Sequence, residues 1–145
     1  MYEKLSPAME IVLKLADAIA RESEQDYVGT EHLLLAILRH GEGRAVDLLR
    51  MRGVNETTAG EVIARLMKQS MEDTWVLGRL PGSPHFRNTI SEAIEEARQC
   101  GSKLVDTEHL LLSLLKEKGS VAFVALEELG VKAADIRAAL SNTSK

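Results

Sequence analysis

Apolar residues at positions 9, 12, 13, 16, 19 and 20 recur at three- and four-residue intervals. That spacing lays one hydrophobic stripe along an α-helix. Ser6 and Pro7 stand just ahead of it, a hydroxyl suited to the N-cap and a ring suited to the first helical position. Thr30 predicts the cap of a second, short helix through about Arg39, with Glu31 near the positive end of its dipole. A third helix is predicted from Arg44 to Arg52, stopped by Gly53 as a left-handed cap, and Asn55 caps a fourth to about Met71. The plan then recurs. Ser83 and Pro84 open a helix that Gly101 ends, Thr107 opens the next, Ser120 the third, Gly130 closes that third, and the last runs through about Leu140.

The recurrence is a sequence repeat. Thr30-Glu31-His32-Leu33-Leu34-Leu35 returns as Thr107-Glu108-His109-Leu110-Leu111-Leu112, an offset of 77 residues. The same offset maps Ser6-Pro7 onto Ser83-Pro84, Ala20-Arg21 onto Ala97-Arg98 and Gly53-Val54 onto Gly130-Val131. Residues 6–54 and 83–131 share 17 identities over 49 ungapped positions, which marks a duplication. Repeat one is read as 1–71, a linker as 72–82 and repeat two as 83–145. The linker carries Trp75, Val76, Leu77 and Leu80, and is expected to pack on the domain. A unit this small buries little core alone. The expectation is therefore an all-α fold in which two tandem four-helix repeats pack with pseudo-twofold symmetry as a single domain over 1–145.

Composition narrows the function. The chain has 145 residues, 45% hydrophobic and 3% aromatic, with a net charge of −4. Neither half is basic, so a nucleic-acid partner is not expected. No apolar run reaches the roughly 20 residues of a membrane helix, and the first residues do not resemble a signal peptide. A cytoplasmic protein is expected, with no membrane partner. The single cysteine, Cys100, excludes an internal disulfide and a multi-cysteine zinc site. No G-x-S-x-G, Gly-Lys or G-x-G-x-x-G string occurs, so no nucleophile elbow, P-loop or dinucleotide fingerprint is present. No cofactor and no catalytic residue is expected.

The repeated hexapeptide carries the site. Its threonines read as caps and its leucines as core, but many residues would serve where the glutamates stand. Two equivalent carboxylates at helix starts, Glu31 and Glu108, suit cationic groups such as a guanidinium. A metal reading of Glu-His is weak, because adjacent helical residues diverge by about 100°. His32 and His109 read as packed or capping residues, and Cys100 as a structural thiol. Gly41-Glu42-Gly43 reads as a plain turn between helices. Glu92, Glu95, Glu96 and Arg98 read as a solvated helix face.

The duplicated motif, the Ala-Arg of each first helix and the Gly-Val turn together resemble the Clp N-terminal (Clp repeat) domain of the Clp ATPases, closest to the ClpC type, over roughly Leu5 to Leu140. The resemblance implies a domain ahead of ATPase modules that is not itself catalytic. Its partners would be protein clients and adaptors, with a Clp ATPase in cis or in trans. It further implies phosphoarginine binding at two equivalent sites, with Glu31 and Glu108 taking the guanidinium and Ser6 and Ser83 at the positions of threonines near the phosphate. This chain departs from the pattern at Ala8 and His85, where an arginine is common. It departs again at Asp106, which replaces the glycine kept at Gly29. The first site, at Glu31, is expected to be the stronger. A stand-alone adaptor, decoy or regulator of a separate Clp machine, or a structural oligomerisation module, are the alternatives.

Overall fold

The computed structural model describes residues 4–22, 28–74 and 84–143. Its elements run β1 (Lys4–Leu5), α1 (Pro7–Glu22), α2 (Thr30–His40), α3 (Arg44–Met51), α4 (Glu56–Thr74), α5 (Pro84–Gln99), β2 (Leu104–Val105), α6 (Thr107–Leu114), α7 (Val121–Glu128) and α8 (Ala133–Thr143). The all-α expectation holds, with four helices in each half among the described residues. Glu72 to Thr74 extend α4. The rest of the expected linker, with Trp75, Val76, Leu77 and Leu80, lies outside the described residues, as does Ser83.

The local signals explain most boundaries. Ser6 caps α1, its Oγ accepting from Met9 N at 3.0 Å. Asn55 caps α4, its Oδ1 accepting from Thr58 N at 2.9 Å. Ser120 caps α7, its Oγ accepting from Phe123 N at 3.1 Å. The second helix of each repeat differs from expectation. Its N-caps are Gly29 and Asp106, and Thr30 and Thr107 are already helical. A histidine, three positions past the cap, supplies the acceptor. Gly29 N donates to His32 Nδ1 at 2.8 Å and Asp106 N donates to His109 Nδ1 at 2.9 Å. Both histidines thus take the reciprocal role that Glu or Gln plays in a capping box.

The two motif helices form the centre. α2 buries Leu33, Leu34, Ala36, Ile37 and Leu38, and every residue of α6 except Glu108 is buried. A helix hydrophobic on nearly all sides needs neighbours on all sides. α1 covers α2 and α5 covers α6; α2 meets α6 at the middle; α4 reaches over to α7, and α3 to α8. Exchanging the repeats turns the contact of α4 with α7 into that of α8 with α3, the mark of pseudo-twofold packing. Thr30 stitches the halves together, its Oγ1 accepting from Ala122 N at 3.2 Å in the first turn of α7.

The short strands are an addition to the expected fold. β1 and β2 pair in parallel, Lys4 with Leu104 and Leu5 with Val105, and Ser6 N donates to Val105 O at 3.0 Å. Two-residue strands are too short to show alternation in sequence. Their consequence is positional: they lay the start of α1 beside the start of α6.

Candidate functional site

The parallel pairing brings Ser6 to the second motif. Ser6 Oγ donates to Asp106 Oδ1 at 2.9 Å, and Thr107 N donates to the same oxygen at 2.7 Å. Two of the expected site residues, Ser6 and Glu108, therefore belong to one neighbourhood, built from both repeats. Asp106 works there as a helix cap and as the acceptor for Ser6. Ser6 itself is buried.

The two glutamates are not in equivalent surroundings. Glu31 is 4% exposed, with its Oε2 4.0 Å from His32 Nε2. The Glu108 side chain is 21% exposed and its Oε2 lies 3.4 Å from Arg44 Nη1. Arg44 opens α3 in the first repeat and also donates through Nη2 to Leu140 O at 2.9 Å. The second carboxylate thus already receives a guanidinium from its own chain.

A hollow of about 340 Å³ adjoins this pair, lined by Ala8, His40, Glu42, Arg44 and Glu108 among others. Its origin is legible by comparing repeats. The residues 77 positions on from Ala8 and His40 are His85 and Glu117, and these close on each other, His85 Nδ1 to Glu117 Oε2 at 2.6 Å. Ala8 has no such arm. In the first repeat the space stays open, and His40 Nδ1 is buried with no hydrogen-bond partner.

Burial lowers the pKa of His32 and of His109, against the opposing pull of the neighbouring Glu31 and Glu108. Both rings are therefore held neutral at pH 7, as their use as acceptors from backbone N–H requires. No group of three or more His, Cys, Asp or Glu among the described residues is placed to hold a metal.

Glu96 corrects the sequence reading. It is not on a solvated face: it is 1% exposed and bonded to three cationic donors. Arg137 Nη1 and Nη2 reach it at 3.1 and 2.6 Å, and Lys116 Nζ at 3.2 Å. The Arg137 hydrogen bonds, reinforced by Lys116 against the cost of burial, hold its carboxyl below the usual range. Its counterpart in the first repeat is Ile19, so a buried charge stands where the twin has an aliphatic side chain.

Comparison with known proteins agrees with the architecture. The model of the Clp repeat (R) N-terminal domain matches residues 4–81 and again 81–145. The chain belongs to the Clp repeat N-terminal domain family. A probable ATP-dependent Clp protease ATP-binding subunit from Chlamydia pneumoniae is 35% identical over 141 residues, 94% of this chain and 16% of that protein. The chloroplastic chaperone protein ClpC1 of Arabidopsis thaliana is 33% identical over 137 residues, 94% of this chain and 14% of that protein. This chain therefore spans a small N-terminal-domain-sized part of the relatives it matches. Among solved structures, the N-terminal domain of the caseinolytic protease associated chaperone ClpD from Arabidopsis thaliana superposes with a TM-score of 0.75 at 19% identity, covering 100% of both chains. A chain from a malarial protein secretion system superposes with a TM-score of 0.72 at 20% identity, covering 97% of this chain and 94% of that one. These structures share the fold. No helix among the described residues is long and apolar enough to cross a membrane.

Proposed function

We propose that this chain is a non-catalytic receptor domain that takes protein clients or adaptors for a Clp ATPase and protease system. It works as one domain of two repeats, 1–71 and 83–145, joined by 72–82. The ligand we favour is a polypeptide carrying phosphoarginine, with Glu108 and Ser6 at one site and Glu31 at its twin. The observation that carries this reading is the Arg44–Glu108 contact at 3.4 Å. It is a guanidinium on a carboxylate, at the edge of a hollow with an unpartnered His40 Nδ1. An incoming guanidinium would exchange with that of Arg44. The displaced Arg44 would then be available to the phosphoryl group, in the role that Ala8 cannot fill. The burial of Glu31 favours Glu108 as the site occupied first, the reverse of the order the sequence suggests.

The test is to pass an arginine-phosphorylated protein and its unphosphorylated form over the immobilised chain. Retention of the phosphorylated form alone supports the reading. Equal retention of both, or of neither, contradicts the phosphoarginine assignment.

A further inference from the structure

The two repeats do not cover their central helices alike. α1 lays Met9, Val12, Ala16, Ile19 and Ala20 into the core, all buried. At the offset of 77 residues, α5 has Phe86, Thr89, Ala93, Glu96 and Ala97. Phe86 is only partly buried, and Thr89 and Glu96 put buried polar groups where the twin has Val12 and Ile19. α6 differs in the same sense, with a buried Ser113 in place of Ala36. The Ser113 hydroxyl donates to Leu110 O of its own helix at 2.7 Å. Thr89 is fully buried, and its Oγ1 has no hydrogen-bond partner. A buried hydroxyl without a partner opposes folding, where the methyl of Val12 favours it.

What α5 lacks in apolar packing it replaces with charge. Arg137 of α8 and Lys116 of the turn after α6 both hold Glu96. The first repeat has no such clasp, because Ile19 and Gly60 stand at the places of Glu96 and Arg137. Both cations are more than a third exposed, so water can receive them when the clasp parts. An apolar face has no substitute partner in water, whereas a charged one does. Elements held by fewer buried apolar contacts open below the free energy of global unfolding. We propose that α5 is a detachable helix, which leaves α6 as one unit while α1 stays on α2, and which the clasp on Glu96 holds shut. Opening uncovers the side of α6 that α5 covers. It also loosens β2, which follows α5 directly and whose Val105 O receives Ser6 N. The inference concerns the second repeat's own packing and does not rest on the receptor reading.

Hydrogen exchange of the whole chain at neutral pH, read by mass on peptides from α1 and α5, tests this. After correction for intrinsic rates, α5 is expected to exchange about 10-fold or more faster than α1. Two conservative variants separate a detachable helix from one cooperative unit. Ile19→Val weakens α1, which stays folded when α5 opens, so it should speed exchange in α1 several-fold and leave α5 unchanged. Thr89→Val replaces the unpaired hydroxyl with a methyl and should slow exchange in α5 several-fold. Glu96→Gln opens the clasp and should speed exchange in α5 by about 10-fold or more. Equal protection of α1 and α5 in the wild type overturns the inference, as does an Ile19→Val variant that speeds both helices alike. Unchanged α5 exchange in Thr89→Val overturns the account of why α5 is the weaker helix.

Discussion

Arg44 of the first repeat and Glu108 of the second meet at 3.4 Å, so the carboxylate of the second motif holds a guanidinium from the other half of the chain. A partly exposed pair of this kind adds little stability, about 0–1 kcal/mol. Its interest lies in competition, because any ligand guanidinium must displace Arg44. Arg44→Ala is expected to strengthen the binding of a simple guanidinium such as N-acetyl-arginine amide several-fold. The same variant is expected to weaken phosphoarginine, which would lose the cation for its phosphoryl group. Calorimetric titration with both ligands checks the opposite signs. Changes of equal sign and size for the two would show that Arg44 and the ligands do not share Glu108.

Glu96 is the buried charge on which α5, the turn after α6 and α8 converge. Glu96→Gln leaves Arg137 and Lys116 without their common anion. Both remain near half exposed and can be solvated, so the cost is expected at about 1–3 kcal/mol, below that of a fully buried pair. The pH dependence follows from its lowered pKa. The unfolded carboxyl binds protons at a higher pH than the folded one. The stabilisation is therefore complete above the ordinary carboxylate value of about 4.3 and is lost as pH falls through the lower folded value. Chemical denaturation at pH 7 and pH 3.5 should show a gap between wild type and Glu96→Gln that narrows in acid. A gap independent of pH would contradict the assigned pairing.

His32 and His109 titrate in a different window. Burial holds both pKa values down, so the unfolded chain binds protons near pH 6.5 while the folded rings stay neutral. Stability is present above that value and declines as pH falls below it. His109→Gln keeps an acceptor for Asp106 N in the manner of a capping box and removes the titration. Its melting at pH 7.5 should stay near wild type, and its loss between pH 7.5 and 5.5 should be smaller. His109→Ala removes the acceptor and should cost about 1–2 kcal/mol at pH 7.5. A His109→Gln variant with an unchanged pH slope would remove this histidine from the account.

Thr30 joins the repeats through one hydrogen bond from Ala122 N. Thr30→Val keeps the shape and leaves that N–H buried and unpaired. A loss of about 1–3 kcal/mol is expected by denaturant titration. A neutral result would mean that the amide finds another acceptor and that the contact does not fasten the halves.

The sequence carried the fold through features that repeat. The hexapeptide in constant register announced the duplication, and the leucines of the motif became the centre of the core because nearly every side of α2 and α6 is covered. Caps at Ser6, Asn55 and Ser120 were readable because each side chain acts on its own helix. The caps of α2 and α6 were misplaced by one residue, since threonine is the commoner cap and a histidine in the third helical position gives no familiar signal. Glu96 was misread because its neighbours in sequence are charged and its partners lie 20 and 41 residues away. The comparison of repeats offered a clue, since Ile19 occupies the matching place in the first. The site was legible as residue types but not as a geometry. The pairing of Ser6 with the second motif depends on two-residue strands that leave no periodic trace, and the hollow beside Glu108 depends on what Ala8 does not fill. Nothing in the motif itself distinguishes the buried Glu31 from the open Glu108.

The most direct test of the account is calorimetric titration of the chain with free phosphoarginine, on the wild type, Glu108→Gln, Glu31→Gln and the double variant, each with its melting temperature measured. The account predicts binding to the wild type, a loss of about 10-fold or more in Glu108→Gln without a matching fall in melting temperature, and a smaller loss in Glu31→Gln. No heat at millimolar ligand with the wild type, or unchanged affinity in Glu108→Gln, would contradict the claim that this carboxylate is the receptor for a guanidinium.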